Sequence, residues 1–181
     1  MLVETPSMTL RQFIQNDLDA LAVILADPQV MRFSLSGPKT IEQTKSLIEG
    51  IFLSYEKWGR GLYAVVHKNN QRLIGYCGFF SQQINEQQEI EVGYRLATAY
   101  WGRGLATEAA LATRDYAFNQ LGLTRLISII EPENIRSIRV AEKIGMRHEK
   151  DLSFGDIPVR IYAIQKFDVT SARDFPSQNL T

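Results

Sequence analysis

Residues 89–109 read EIEVGYRLATAYWGRGLATEA, and residues 125–130 read RLISII. In the first stretch Ile90, Val92, Tyr94 and Leu96 point one way and Glu91, Gly93 and Arg95 the other, the two-residue period of a strand. From Gly104 the period lengthens. Leu105, Ala109, Ala112 and Tyr116, with Ala106, Ala110 and Ala117 beside them, mark one face of a helix that runs to about residue 121 and stops at Gly122. So many alanines let this helix lie close to a sheet. Residues 125–130 are a continuous β-branched run suited to a buried strand. Strand, helix and strand in this order require a right-handed crossover between parallel strands.

Upstream, residues 9–13 read as a strand. Leu18, Leu21, Ala22 and Leu25 predict a short helix that opens near Asn16 or Asp17 and stops at Asp27-Pro28. A second helix starts near Thr40 and ends at Gly59, with Ile41, Thr44, Ile48, Ile51, Tyr55 and Trp58 at steps of three and four. Residues 62–66, a polar turn at 68–71 and residues 73–81 predict a hairpin, and residues 82–88 a polar loop. Downstream, Asn134 caps a helix over 135–144 closed by Gly145. Strands near 146–152 and 159–166 flank a turn at Phe154-Gly155-Asp156. The expected fold is α/β in the α+β sense: one mixed, mostly antiparallel sheet of about seven strands flanked by about four helices. A single domain over 8–167 and a loose polar tail over 168–181 complete the expectation.

The 181 residues include 20 basic and 20 acidic side chains, so no broad cationic surface exists to meet a nucleic acid backbone. No apolar stretch is long enough to span a membrane, and no basic-then-apolar leader opens the chain; a cytoplasmic protein is expected. One cysteine, Cys77, and two histidines, His67 and His148, offer no ligand cluster at zinc spacing, so no metal is expected. Cys77 reads as a small buried hydrophobe within its strand.

The pentapeptide Trp-Gly-Arg-Gly-Leu occurs twice, at 58–62 and at 101–105. Context separates the copies. The first lies between a helix and a strand, where its glycines end the helix and turn the chain. The second lies between a strand and a helix. There the main-chain N–H groups of 102–106 converge at the positive end of the helix dipole, and the missing side chains of Gly102 and Gly104 admit a phosphate. A dinucleotide fold would need a third glycine where Thr107 stands, and a Walker loop would need Gly-Lys-Ser/Thr.

With Tyr94-Arg95-Leu96, Tyr100 to Ala109, Asn134-x-x-Ser137 and Glu142-Lys143-Ile144-Gly145-Met146, the chain resembles the GNAT N-acetyltransferases of the RimJ/RimL-like branch. That signature, Gln/Arg-x-x-Gly-x-Gly/Ala, is met by Gly104 and Ala106. Trp101 departs from it at the first position, and Met146 replaces the usual phenylalanine.

The resemblance implies an acetyl-CoA-dependent enzyme, monomer or homodimer, that acetylates a primary amine by direct attack. The acceptor would be a protein N-terminus or a small-molecule amine, with neither nucleic acid nor membrane as partner. It implies that Arg95 and Leu96 offer backbone groups to the pantetheine, that Gly102, Arg103, Gly104, Leu105, Ala106 and Thr107 hold the diphosphate, and that Asn134 and Ser137 contact the cofactor. Ser137 would be the general acid, although a serine is also an ordinary residue of a first turn. Glu91 beside Gly93, whose missing side chain leaves room for an acetyl group, is the candidate base, with Asp156 or Glu131 as alternatives. Arg136, Arg139, Lys143 and Arg147 form a stripe that is either a solvated face or a contact to the ribose phosphate. The aromatic residues Tyr55, Trp58, Phe79, Phe80 and Tyr116 read as core. An alternative is a silent acyl-CoA-binding sensor without turnover.

Overall fold

The computed structural model describes residues 2–173. Eight strands form one sheet in the order β1-β2-β3-β4-β5-β6-β8-β7. They are β1 (Leu2–Glu4), β2 (Met8–Arg11), β3 (Leu62–His67), β4 (Arg72–Ile84), β5 (Gln87–Leu96), β6 (Arg125–Ile130), β7 (Arg147–Phe154) and β8 (Ile157–Gln165). Five α-helices accompany them: α1 (Leu18–Ala26), α2 (Ile41–Trp58), α3 (Leu105–Asn119), α4 (Ile135–Lys143) and α5 (Lys166–Arg173). Among the described residues only β5 and β6 pair in parallel, so the sheet is mixed and mostly antiparallel as the element order requires.

The sheet separates two apolar layers. Leu105, Ala109, Ala117 and Phe118 of α3 and Ile138 and Ala141 of α4 pack on one face, with Tyr63, Phe79, Val92 and Leu96. Leu21 and Leu25 of α1 and Ile48 and Ile51 of α2 pack on the other, with Phe13, Ala64 and Tyr76. Cys77 is fully buried beside Thr113 of α3, and burial pushes its thiol up to about 12, so it packs as a small hydrophobe.

Local chemistry sets most element ends. Thr40 accepts from the Gln43 N–H at 3.2 Å while the Gln43 side chain accepts from the Thr40 N–H at 2.9 Å, a reciprocal cap that opens α2. Gly59 closes it in the left-handed region at φ 64°.

Three expectations need correction. The polar stretch 82–88 is the tip of a long hairpin, since β4 and β5 pair as far as Ile84↔Gln87 around a two-residue turn, Asn85-Glu86, with φ of 47° and 65°. Its glutamines read as loop because the ribbon projects into solvent. The segment after Phe167 is helical through Arg173, with Asp168 accepting from the Gln165 N–H at 3.0 Å; residues 174–181 of the expected tail lie outside the described residues. Strand β1 was too short to leave a periodic signal, which with α5 accounts for the larger element count.

At Gly78 the strands come close. A Cβ there would stand 2.4 Å from the Gly61 carbonyl oxygen and 2.7 Å from the Leu62 Cα, both backbone atoms that cannot yield. Gly78→Ala is expected to destabilise the protein by about 1–3 kcal/mol. Gly50→Ala, whose Cβ meets nothing in mid-α2, is expected to gain about 0.5–1 kcal/mol. Thermal melts of the two variants check the contrast.

Candidate active site

The loop before α3 is built around two residues that adopt left-handed backbone, Gly102 at φ 74° and Gly104 at φ 78°. A Cβ at either would meet no atom within 4 Å, so the glycines serve the backbone path and leave open space above it. Gly104 is the N-cap of α3 and offers no side-chain cap, and the first intrahelical bond of this end runs from the Glu108 N–H to the Gly104 carbonyl at 3.0 Å. The N–H groups of Leu105, Ala106 and Thr107 therefore have no acceptor within the helix. They face outward at the positive end of the dipole, where an anion is stabilised by about 0.3–1 kcal/mol even at an exposed site. Gly102, Arg103 and Gly104 are exposed, whereas Leu105 anchors the loop in the core.

Beside this loop β5 and β6 part. At their closed end Arg125 of β6 donates to both carboxylate oxygens of Glu89 at 3.1 Å, and to Glu149 of β7 at 2.8 and 2.9 Å. Two residues on, Glu91↔Ile127 is the one register pair between the strands. Beyond it the Val92 carbonyl accepts from the Ser128 hydroxyl at 2.9 Å in place of a backbone donor. Residues on a strand turn both main-chain groups to the same side and alternate, so Tyr94 and Leu96 face the gap with Val92, while Arg95 faces β4.

Arg95 accordingly has a different task from the one the resemblance implies. Its register partner is Tyr76, and its guanidinium donates to the Tyr76 hydroxyl and the Val30 carbonyl, both at 3.0 Å, tying the segment after α1 to β5. The Leu96 carbonyl accepts the Trp101 indole N–H at 2.7 Å. Tyr94 is the residue whose main-chain groups remain toward the gap.

On the α3/α4 face the Tyr94 hydroxyl donates to the Ser137 carbonyl at 3.3 Å, which brings Tyr94 and Ser137 together at the first turn of α4. Burial pushes the Tyr94 phenol far above its ordinary range, with Ser137 opposing. Asn134 accepts from the Ser137 N–H at 3.2 Å and so acts as the N-cap. The pairing of Tyr94 with Ser137 was not legible in the sequence, because nothing local relates residues so far apart.

Glu91 lies on the opposite face, where β5 and β6 last touch. Burial pushes its carboxyl up to about 6, against the stabilising Gln82 amide, which donates at 2.6 Å, the Ile129 backbone and Arg95. A carboxylate with this affinity is half-ready to take a proton near neutrality. The room beside Gly93 is filled: a Cβ there would stand 2.6 Å from the Phe80 ring, so the ring occupies the space assigned above to an acetyl group. Glu91, Ile127 and Ala163 share one row of the sheet, and Asp156 sits in the exposed β7–β8 turn, on the order of 20 Å of strand farther along β8. Glu91 and Asp156 are therefore not brought to one point.

Across β4 from Glu91, Phe80 forms part of a cleft of about 380 Å³ between α2 and the start of β3. Leu47, Ile51, Phe79 and Phe80 line it, with Trp58 and Arg60 among its walls. Trp58 is 48% exposed and lies between two cations, Lys57 at 4.7 Å and Arg60 at 5.9 Å from its ring, so it is cleft wall rather than the core expected of it.

The acetyltransferase (GNAT) domain family matches residues 7–147. The chain belongs to the GNAT acetyltransferases. Among curated relatives, YkkB of Bacillus subtilis (strain 168) is 35% identical over 146 residues, 81% of this chain and 84% of its own. An uncharacterised N-acetyltransferase, p20 of Bacillus licheniformis, is 31% identical over 146 residues, 80% and 82% of the two chains. The crystal structure of a GNAT-family acetyltransferase from Bacillus anthracis superposes with a TM-score of 0.79 at 28% identity, covering 92% of this chain and 99% of that one.

This GNAT protein is an acetyl-CoA-dependent acetyltransferase. Its residues fit that co-substrate: the uncapped amides over open space at 102–107 suit a diphosphate, and the unpaired edge of Tyr94 suits an amide-bearing chain. Among the described residues no cluster of His, Cys, Asp or Glu could hold a metal ion, and no helix is long and apolar enough to cross a membrane.

The duplicated pentapeptide tests the loop. Gly104→Val is expected to raise KM for acetyl-CoA tenfold or more. Gly61→Val, whose Cβ would press 3.1 Å from the Tyr55 ring, is expected to lower Tm with KM unchanged. Steady-state kinetics and melts of both variants decide it.

Proposed function

We propose that the enzyme is an N-acetyltransferase of the RimJ/RimL-like branch, cytoplasmic, that transfers the acetyl group of acetyl-CoA to a primary amine by direct attack. The observation that carries this reading is the gap between β5 and β6, with Glu91 on one face of it and Ser137 beside Tyr94 on the other. The α1/α2 face and the α3/α4 face of a sheet communicate only where neighbouring strands separate.

Acetyl-CoA supplies the activated acyl group, an electrophilic thioester carbonyl. The Gly102 to Thr107 amides hold its diphosphate, and the Tyr94 main chain pairs with its pantetheine. Glu91 takes a proton from the acceptor ammonium on the α1/α2 side, freeing the nitrogen lone pair. As the C–S bond breaks, Ser137 gives its hydroxyl proton to the departing sulfur and is reprotonated by the proton that the newly acylated nitrogen sheds, with its turn of helix held in place by the Asn134 cap and the Tyr94 hydroxyl. The acceptor amine belongs to a polypeptide N-terminus or a small molecule. The cleft beside Phe80 supports an acceptor that carries both apolar and hydrogen-bonding groups beside its amine, since Leu47, Ile51, Trp58, Phe79 and Phe80 share its walls with Ser46, Ser54 and Ser81, and its charged wall residue is Arg60.

Thiol release measured over pH, with a panel of N-terminal peptides and small amines, tests this. For wild type, kcat/KM is expected to rise with pH through about 6, because Glu91 must be deprotonated to act as base. Glu91→Gln is expected to lose that rise together with about 10²–10⁴ in rate, and Ser137→Ala to lose about 10² or more at saturating acetyl-CoA. Unchanged turnover in both variants would overturn the assignment of base and acid.

A further inference from the structure

Arg136 leaves the first turn of α4 and places its guanidinium 4.7 Å from the centre of the Trp101 ring. That ring is itself fixed: its indole N–H is held by the Leu96 carbonyl at 2.7 Å, and the Trp101 backbone N–H by the Thr98 carbonyl at 3.1 Å. Trp101 stands immediately before the amide cradle. It also occupies the position at which the signature calls for Gln or Arg, so a polar side chain is missing from the loop, and a cation from another element stands over its replacement.

We propose that Arg136 is a binding residue for the diphosphate of acetyl-CoA, reaching it from α4 across the Trp101 ring while the amides of 102–107 hold it from α3. The inference rests on the acetyl-CoA reading of the cradle. A guanidinium held over an aromatic ring meets the ring through its charge and keeps N–H donors for other partners, and its planar fork matches phosphate oxygens. Its charge is not neutralised within the protein. Among the described residues Arg136 forms no ion pair, and Glu133 and Glu142 of the same region form none either. Glu108 in the first turn of α3 is engaged by the Ser7 N–H at 2.8 Å. The loop's own cation, Arg103, lies over Tyr100 at 5.6 Å. Arg139, Lys143 and Arg147 continue the stripe, exposed as Arg136 is, but among the described residues only Arg136 of the four has a cation–ring contact, and the solvated-face reading suits the other three.

Calorimetry on wild type and Arg136→Ala tests the proposal with three ligands: CoA, dephospho-CoA, which lacks the 3′-phosphate, and pantetheine, which lacks every phosphate and is measured by displacement with CoA. Arg136→Ala is expected to raise Kd for CoA and dephospho-CoA by about tenfold each and to leave that for pantetheine and the Tm unchanged. Equal weakening of pantetheine would make Arg136 a brace between α4 and the loop and overturn the proposal. Loss confined to CoA would assign the contact to the 3′-phosphate instead, and unchanged Kd for CoA would remove the residue from the site. Wild type that fails to bind CoA while folded would sink the cofactor reading itself, and this inference with it.

Discussion

The active site depends on the failure of two adjacent parallel strands to stay paired. Hydrogen bonding favours a continuous ladder, and an unpaired buried N–H or C=O costs about 1–3 kcal/mol, so a gap in a sheet persists only where side chains or a ligand take over the ladder groups. Here Ser128 satisfies the Val92 carbonyl, the Glu91 carboxyl engages the Ile129 backbone, and the Trp101 indole takes the Leu96 carbonyl. Arg125, gripping Glu89 and Glu149, closes the other end. Such half-exposed ion pairs add little net stability, on the order of 0–1 kcal/mol.

The rest of the fold holds that gap open. Alanines along α3 allow its axis close to the sheet, which brings the uncapped end of the helix to the mouth of the gap. Arg95, bonded to Tyr76 and Val30, fastens the segment after α1 to the strand that carries Glu91, and the Thr98 hydroxyl reaches Asp27 at 3.3 Å in the same region. The acceptor side and the cofactor side proposed above are thereby mounted on one strand, β5, with side chains alternating between them. A period of two residues delivers Glu91 to one face and Tyr94 to the other.

Electrostatically the site relies on dipoles more than on net charge. The chain has equal numbers of acidic and basic residues, and the cradle is made of main-chain amides, which carry fixed partial charges and need no counter-ion. Burial then does for Glu91 what a neighbouring acid would do elsewhere, raising the proton affinity of its carboxyl into the range that suits the base role proposed for it.

Much of this was legible in the chain itself. The order of strands and helices, the Thr40, Asn134 and Gly59 caps and the buried Cys77 follow from side-chain period and backbone preference over a few consecutive residues. The tip of the long 72–96 hairpin was misread because polarity alone does not distinguish a solvated ribbon from a loop. Tertiary structure decided the rest: that Ser128 reaches Val92 across 36 residues and Tyr94 reaches Ser137 across 43, that Phe80 fills the space above Gly93, and that Arg95 turns away from the gap. Such contacts depend on strand register and on the path of the crossover, and neither leaves a mark on the local pattern of residues that make them.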